Sequence, residues 1–505
     1  MIMLNLYLRV YGILALSHIV LQVLLGHLHH LKRRARTAEA NLPSTTVIVP
    51  VYNEDPQLLA QCFQALDEQN HPAKKVIVVD DGSPNLALLE PVYARFAARP
   101  GWTVLRLTNN VGKRAAQRVG FDAATTDVVV TVDSDTQLVG VDALSMLTRS
   151  FLRRRVAAVT GAVGVSNAST NLLTRLTALR YWMAFHQERA AQSLFGVMLC
   201  CSGPFSAYRR AVVMEVLDDY VRQSFLGQPC TFGDDRHLTN LILSRGHQAI
   251  FDPDAHVVTH VPDTWNGFVR QQARWNKSFY RELLWSARFV HRRNPYLALE
   301  LTLQTVLPFM LLGALTSVAW RAASSPAVAA VYAAIVVGIA LLRCSYGVIR
   351  TRSLRFLLFT AYGFIHVGLL LPVRLYALST MGRTHWGTRG MHRTDPAAEL
   401  LPPAQVLQAR PPAQLPQRRD QASTVMTVSD TRTARNVVAE VAPTVDVAAP
   451  IVRNLLPALE RGPLGRWRPV RTTTSTVVMV PTQRTTDANE PEIHWFAWSL
   501  APVTA

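Results

Sequence analysis

The stretch MLNLYLRVYGILALSHIVLQVLLGHL, residues 3–28, limits what this chain can be more than any other feature. A run of this length, apolar and almost free of charge, matches the thickness of a bilayer's hydrocarbon core when coiled as a helix. The blocks 296–320, 326–342 and 356–378 have the same character. A long polar insert separates the first block from the second. The expectation is a membrane protein carrying a large soluble region. The first block reads as an anchor and not as a cleaved signal peptide, because its apolar core is too long and no small-x-small site follows. The charges KRRAR at 32–36 sit directly behind it and favour a cytoplasmic insert with the N-terminus outside.

The net charge of +18 raises the question of nucleic acid. Much of that charge flanks the apolar blocks, where arginines anchor topology and meet anionic lipid head groups, or lies in the C-terminal region. No nucleic-acid partner is expected; membrane lipid is. The five cysteines, Cys62, Cys200, Cys201, Cys230 and Cys344, have no metal-ligand spacing, and their odd, scattered set fits a reducing compartment.

Within the insert the pattern alternates. TTVIVPVY, KKVIVVDD, WTVLRLT, DVVVTVDSD and AAVTGAV are short continuous apolar runs. PQLLAQCFQALDEQ and KRAAQRVGFDAA between them have helical spacing. Strands alternating with helices predict an α/β, Rossmann-like, mainly parallel sheet covered on both faces. Ligands bind such sheets beyond the carboxyl ends of the strands. Three of these strands end in polar clusters: YNED at 52–55, DDGS at 80–83 and DSD at 133–135. One sheet edge thus gathers polar groups from several strands.

Each cluster has a plain structural explanation and a chemical one. Asp133 and Asp135 suit a turn, and they equally suit a divalent cation that also holds a diphosphate. DDGS is either an Asp-Gly turn or an acidic contact to a base or ribose. Gly112 and Lys113 in NNVGKR stand at a helix start, where backbone N–H groups and a lysine favour phosphate; a solvated lysine is the simpler account. In GDDRHLTN, Asp234 and Asp235 at a helix N-terminus are either dipole-favoured caps or a general base for a sugar hydroxyl. In QQARW, Arg274 suits a leaving diphosphate and Trp275 a sugar face, although tryptophan is also a common interfacial anchor.

In order, VPVYNED, VVDDGS, NNVGKR, VDSDT, CSGPFSAYRR, GDDRHLTN and QQARW resemble the processive family 2 glycosyltransferases. The resemblance runs from about residue 45 to about 390 and includes HWGTRG at 385–390. SFLGQP, GDDRHLTN and RQQARWNKSFYRE make the chain look most like hyaluronan synthases. The nodulation chitooligosaccharide synthases are near relatives that share DRHLT and VPDT, the latter present at 261–264.

The resemblance implies a GT-A fold, UDP-sugar donors, and Mg²⁺ or Mn²⁺ held by Asp133 and Asp135. It implies that Tyr52, Glu54 and Asp81 contact uridine and Lys113 the nucleotide, and that Asp235, beside Asp234, is the base. Ser202, Gly203 and Pro204 should line the acceptor pocket. Arg274 and Trp275 should hold the diphosphate and acceptor sugar, and Trp386, Thr388 and Arg389 should close over the site. The first functional expectation is hyaluronan synthesis from UDP-GlcNAc and UDP-GlcA with inversion. The alternatives are a chitin-type synthase using UDP-GlcNAc alone and a catalytically silent membrane scaffold.

The expected organisation is a transmembrane helix (1–30), a cytosolic GT-A domain (31–265), interfacial amphipathic helices (266–295), a C-terminal membrane region (296–390) and a largely disordered tail (391–505). The protein should be a multi-pass cell-membrane protein with its catalytic domain in the cytosol. Basic residues on both sides of 356–378, with Gly363, His366 and Pro372 inside it, predict a re-entrant or partly interfacial segment that lines the polymer path.

Overall fold

The computed structural model describes residues 2–32, 41–322 and 325–383, with short strands at 405–406, 467–471 and 477–481. Two units separate, Met1–Pro411 and Pro412–Ala505. In the second, Trp467–Arg471 pairs antiparallel with Val477–Pro481. Most of the predicted tail, and Trp386, Thr388 and Arg389 with it, lies outside the described residues.

The apolar runs form the strands. In chain order these are β1 (Thr45–Val51), β2 (Lys74–Asp80), β3 (Trp102–Arg106), β4 (Val128–Val132), β5 (Gln137–Leu138), β6 (Val156–Val165), β7 (Phe205–Arg209), the hairpin β8 (Ser224–Phe225) and β9 (Gln228–Pro229), β10 (Gln248–Thr259) and β11 (Gln405–Val406). The main sheet is ordered β11-β3-β2-β1-β4-β7-β6-β10-β5. Strands β3, β2, β1 and β4 run parallel. The mainly parallel GT-A sheet is therefore as expected; β7 lies antiparallel between β4 and β6, and the two short edge strands, β11 on β3 and β5 on β10, are antiparallel as well.

Helices cover the sheet. α1 (Ile2–Leu31) precedes it, and α2 (Pro56–Asp67), α3 (Leu86–Ala97) and α4 (Lys113–Ala123) are crossovers. Asp55 starts α2: its carboxylate accepts from the backbone N–H of Gln57 and Leu58, and Pro56 takes the first helical position. Val47, Phe63, Tyr93, Phe121, Val130 and Phe205 join in one buried core. Because β1, β2 and β4 are adjacent and parallel, their carboxyl ends emerge side by side, with Val51 level with Asp80.

Further along come α5 (Ala143–Thr148), α6 (Leu172–Met183), a π-helical turn (Ala184–Arg189), α7 (Ala190–Leu194), α8 (Arg210–Val221), α9 (Asp234–Ser244) and α10 (Trp265–Ser286). Then α11 (Pro295–Ala322) and α12 (Pro326–Thr351) follow. Among the described residues, Leu6–Leu31, Pro295–Trp320 and Leu354–Ser379 are long and apolar enough to cross a membrane. The tyrosine hydroxyl of Tyr7 on α1 donates to the Met310 carbonyl of α11 at 2.8 Å.

Leu354–Ser379 is not one regular helix. It runs as a 3₁₀ stretch (Leu354–Ala361), a turn of α-helix α13 (Tyr362–Ile365), a π-turn (His366–Leu370) and α14 (Leu371–Ser379). Both ends pack on the catalytic unit. Phe356 meets Trp182 of α6 edge-on with ring centroids 4.6 Å apart. At the other end Arg281 of α10 donates to the carbonyls of Met381 (2.8 Å) and Arg383 (2.9 Å).

Candidate active site

A cavity of about 2,120 Å³ opens at the carboxyl edge of β1, β2 and β4 and continues between α1, α11 and α12. Tyr52, Glu54, Asp81, Lys113, Asp133, Asp135, Ser202, Gly203, Pro204, Asp234, Asp235, Arg274 and Trp275 all line it. The structure thus brings together every described candidate residue from the sequence.

Glu54 follows β1 and accepts from the Ser134 hydroxyl at 2.5 Å. Asp133 and Asp135 follow β4. Asp135 accepts from the Thr259 hydroxyl of β10 at 3.1 Å. Burial, then the charges of Asp133 and Glu54, push the Asp135 carboxyl up to about 6. The sheet edge therefore concentrates more negative charge than it neutralises.

Asp81 serves the scaffold as well as the cavity. Its two oxygens accept from the backbone N–H of Val111 (2.8 Å) and Gly112 (3.0 Å), fixing the loop that starts α4. Lys113, first in that helix, bridges Asp133 (2.6 Å) and Asp234 (3.4 Å). Burial opposes its charge, but Asp133 and Asp234 outweigh burial and hold its pKa above the ordinary lysine value. Lys113 is thus the central counter-ion between the DSD and GDD motifs.

Two adjacent carboxylates are driven apart. Asp234 is buried, yet Lys113 and Arg114 hold it below the usual range. Burial and the charge of Asp234 push Asp235 up. Asp235 accepts from the Arg236 backbone N–H at 2.8 Å and from the Cys200 thiol at 3.3 Å. A carboxylate with a raised pKa, facing a cavity, is equipped to take a proton. Gly233 makes the turn possible: its φ is +82°, and a Cβ there would lie 2.1 Å from the Ser278 hydroxyl of α10.

The antiparallel β7 explains the place of Ser202, Gly203 and Pro204, which lead directly into it beside β4. Gly203 packs on Asp133, since an added Cβ would sit 3.1 Å from Asp133 Oδ2. Ser202 is buried with its hydroxyl unpartnered, while its N–H donates to Thr160. Trp275 is 44% exposed and lies near Tyr181, with ring centroids 6.3 Å apart.

Sequence reasoning missed several supporting groups. Cys200 is one, since its thiol donates to Asp235. Glu282 is another: His237, Asn240 and Gln223 all donate to this buried carboxylate, locking α10 to α9. The spacing of His237 and Asn240, on one face of α9, was the available signal.

These features define a GT-A-type nucleotide-sugar transferase site, and the comparisons with known proteins place it. The glycosyl transferase family 2 model matches residues 46–217. An N-acetylglucosaminyltransferase of Sinorhizobium fredii is 38% identical over 356 residues, covering 70% of this chain and 86% of that protein. A hyaluronan synthase of Streptococcus pyogenes is 36% identical over 401 residues, 77% of this chain and 94% of that protein. In structure, the mannosyltransferase PcManGT of Pyrobaculum calidifontis is similar, with a TM-score of 0.51 and 23% identity over 74% of this chain and 99% of that one. The chain belongs to glycosyltransferase family 2, and is an enzyme of the processive type that includes the rhizobial N-acetylglucosaminyltransferases and hyaluronan synthase.

Proposed function

We infer that this enzyme builds a membrane-exported polysaccharide from UDP-sugars, with UDP-GlcNAc as a donor. The carrying observation is Asp235, its pKa raised by burial and by Asp234, facing across one cavity the carboxylates that follow β4. The acceptor hydroxyl attacks the donor's anomeric carbon from the face opposite UDP. The bond from that carbon to the diphosphate oxygen breaks, the hydroxyl proton passes to Asp235, and configuration inverts. Arg274 and Lys113 are the cations placed to meet the departing diphosphate. Trp275 offers its exposed face to the acceptor sugar, and Ser202, Gly203 and Pro204 form the floor beneath it. Tyr52, Glu54 and Asp81 surround the uridine end. Trp386, Thr388 and Arg389, which lie outside the described residues, are assigned the closing role.

The donor set fits a divalent ion, Mg²⁺ or Mn²⁺, at Asp133 and Asp135. Their charge is under-neutralised, as the raised Asp135 pKa records. Among the described residues no group of three His, Cys, Asp or Glu is placed to hold a metal, so an ion at these two carboxylates would need diphosphate oxygens and water to complete its shell. Such an ion supplies charge neutralisation on the leaving diphosphate.

The sequence put hyaluronan first. The rhizobial relatives, named for N-acetylglucosaminyl transfer, favour a product of N-acetylglucosamine alone. The hyaluronan reading keeps its support from the Streptococcus relative, which this chain matches over nearly its full length. Membranes given UDP-GlcNAc alone are expected to make polymer that chitinase degrades. Product that appears only after UDP-GlcA is added, and that hyaluronidase degrades, would replace the N-acetylglucosamine-only reading with hyaluronan.

The proposed topology keeps the catalytic unit cytosolic and makes 354–379 re-entrant. Its support is that both ends of the segment pack on that unit, through Trp182 and Arg281. A cysteine at Arg383, with the five native cysteines replaced, is expected to be protected from an impermeant thiol reagent in intact cells and to react after lysis. Labelling of intact cells would overturn the re-entrant assignment.

A further inference from the structure

Glu300 is a carboxylate 2% exposed on α11, about one and a half turns from the start of a helix long enough to span a membrane. Ionisable groups at such depth are costly and mark function by default. Its Oε2 accepts from Gln22 Nε2 at 2.7 Å and lies 3.1 Å from His18 Nε2, both on α1. Its Oε1 accepts from Gln304 at 2.6 Å and from Gln192 of α7 at 3.3 Å. Three carboxamides from three helices therefore turn their NH₂ ends to one carboxylate. A carboxylate only accepts, so it fixes each amide's orientation and leaves the carbonyl oxygens directed away from it.

One of those carbonyls has nothing to accept. Gln22 is 3% exposed, and its Oε1 lacks a hydrogen-bond partner. Gln187, 1% exposed and in the wall of the same cavity, also has an unpartnered Oε1. Buried polar atoms without partners are rare and call for an explanation. Both residues line the cavity that starts at the active site, as do Glu300, Gln192 and Gln304. The wall is continuous with the catalytic centre: Gln192 Oε1 accepts from the Leu199 N–H, and the neighbouring Cys200 thiol contacts Asp235.

We propose that this carboxamide shelf, built by Glu300 between α1, α7 and α11, is a binding subsite for the growing glycan and selects a neutral, N-acetylated chain. Unpartnered carbonyl oxygens match sugar hydroxyls and acetamido N–H groups, which are donors. The Glu300 carboxylate disfavours a chain with a carboxylate on every second sugar. None of the arginines in the same wall pairs with Glu300 among the described residues: Arg180 and Arg343 pair with Glu188, and Arg374 donates to Asn276 and the Gln304 carbonyl. The inference rests on the processive glycan reading above and adds the class of product that fits the path.

The test measures binding of β-1,4-linked N-acetylglucosamine oligomers, two to six units long, and of hyaluronan oligomers of matched length, to the purified full chain in nanodiscs. Gln22→Ala and Gln22→Met are each expected to weaken binding of the longer neutral oligomers by roughly tenfold, with UDP affinity and binding of the two-unit sugar unchanged. Gln22→Met preserves side-chain bulk, so loss of packing alone would spare it. Glu300→Gln keeps the side-chain size and removes the charge, at the cost of one acceptor oxygen; it is expected to raise hyaluronan-oligomer affinity by roughly tenfold. Wild-type affinity at every length in both Gln22 variants would overturn the subsite. Hyaluronan oligomers binding the wild type as tightly as neutral ones, with no change in Glu300→Gln, would overturn the selectivity. The donor reading is checked separately: failure to use UDP-GlcNAc would remove it, and these binding results would still stand on their own.

Discussion

Asp235→Asn is expected to lower the transfer rate by about 10²–10⁴-fold, the usual contribution of a positioned base, while UDP affinity stays within about twofold. The amide fits the same space. Its oxygen can still accept from the Arg236 N–H, and its NH₂ faces the Cys200 sulfur, so no buried group is stranded. What it cannot do is take the acceptor's proton. Calorimetry with UDP and single-turnover transfer separate the two effects. A variant that retains more than a few per cent of turnover would remove Asp235 from the base role and leave Asp234, paired with Lys113, as the candidate to examine.

Asp135→Asn is expected to act on binding instead. With Mn²⁺ present, UDP affinity should fall at least about tenfold, a change of about 1.4 kcal/mol. The pH dependence carries a second signature. The folded protein raises the Asp135 carboxyl from an ordinary value of 3.8 to about 6. The fold therefore favours the protonated form, and this contribution to stability is present at low pH and lost as pH rises through about 6. Cation binding runs the other way, because it needs the carboxylate, so affinity climbs over the same range. In Asp135→Asn the nucleotide-free protein should lose that pH-dependent fall in stability. Unchanged UDP affinity with Mn²⁺ would count against the metal assignment.

The crossover part of the fold was legible because its strands are buried on both faces. TTVIVPV and VVVTV are continuous apolar runs with nothing else to become, and each ends at the polar cluster that supplies the site. β7 was harder. FSAYR is short and mixed, and its antiparallel place is set by β4 and β6 on either side. Asp133, Asp135 and Asp235 could be found because each sits in a motif at the end or start of an element. Glu300 could not be found in that way. It is one carboxylate in an apolar helix, and its meaning comes from Gln22 and Gln192, 278 and 108 positions away in the chain. The irregular 354–379 segment was visible in outline, since Gly363 and Pro372 disfavour a uniform helix there. Its π-turn depends on packing that no local pattern records.

The order of strands also sets a timetable for synthesis. β6 runs beside β10, and β10 in turn holds β5 at the edge. The end of β10 leaves the ribosome about ninety residues after the end of β6, which at ~5–20 residues per second is several seconds. Throughout that interval α1 has already emerged, while β6 still waits with an open hydrogen-bonding edge. An unpaired edge is a template for wrong partners. Capture of α1 by a bilayer at that stage would hold the nascent chain dilute and separate from its neighbours during those seconds, a benefit to biogenesis that precedes any part α1 has in the finished enzyme.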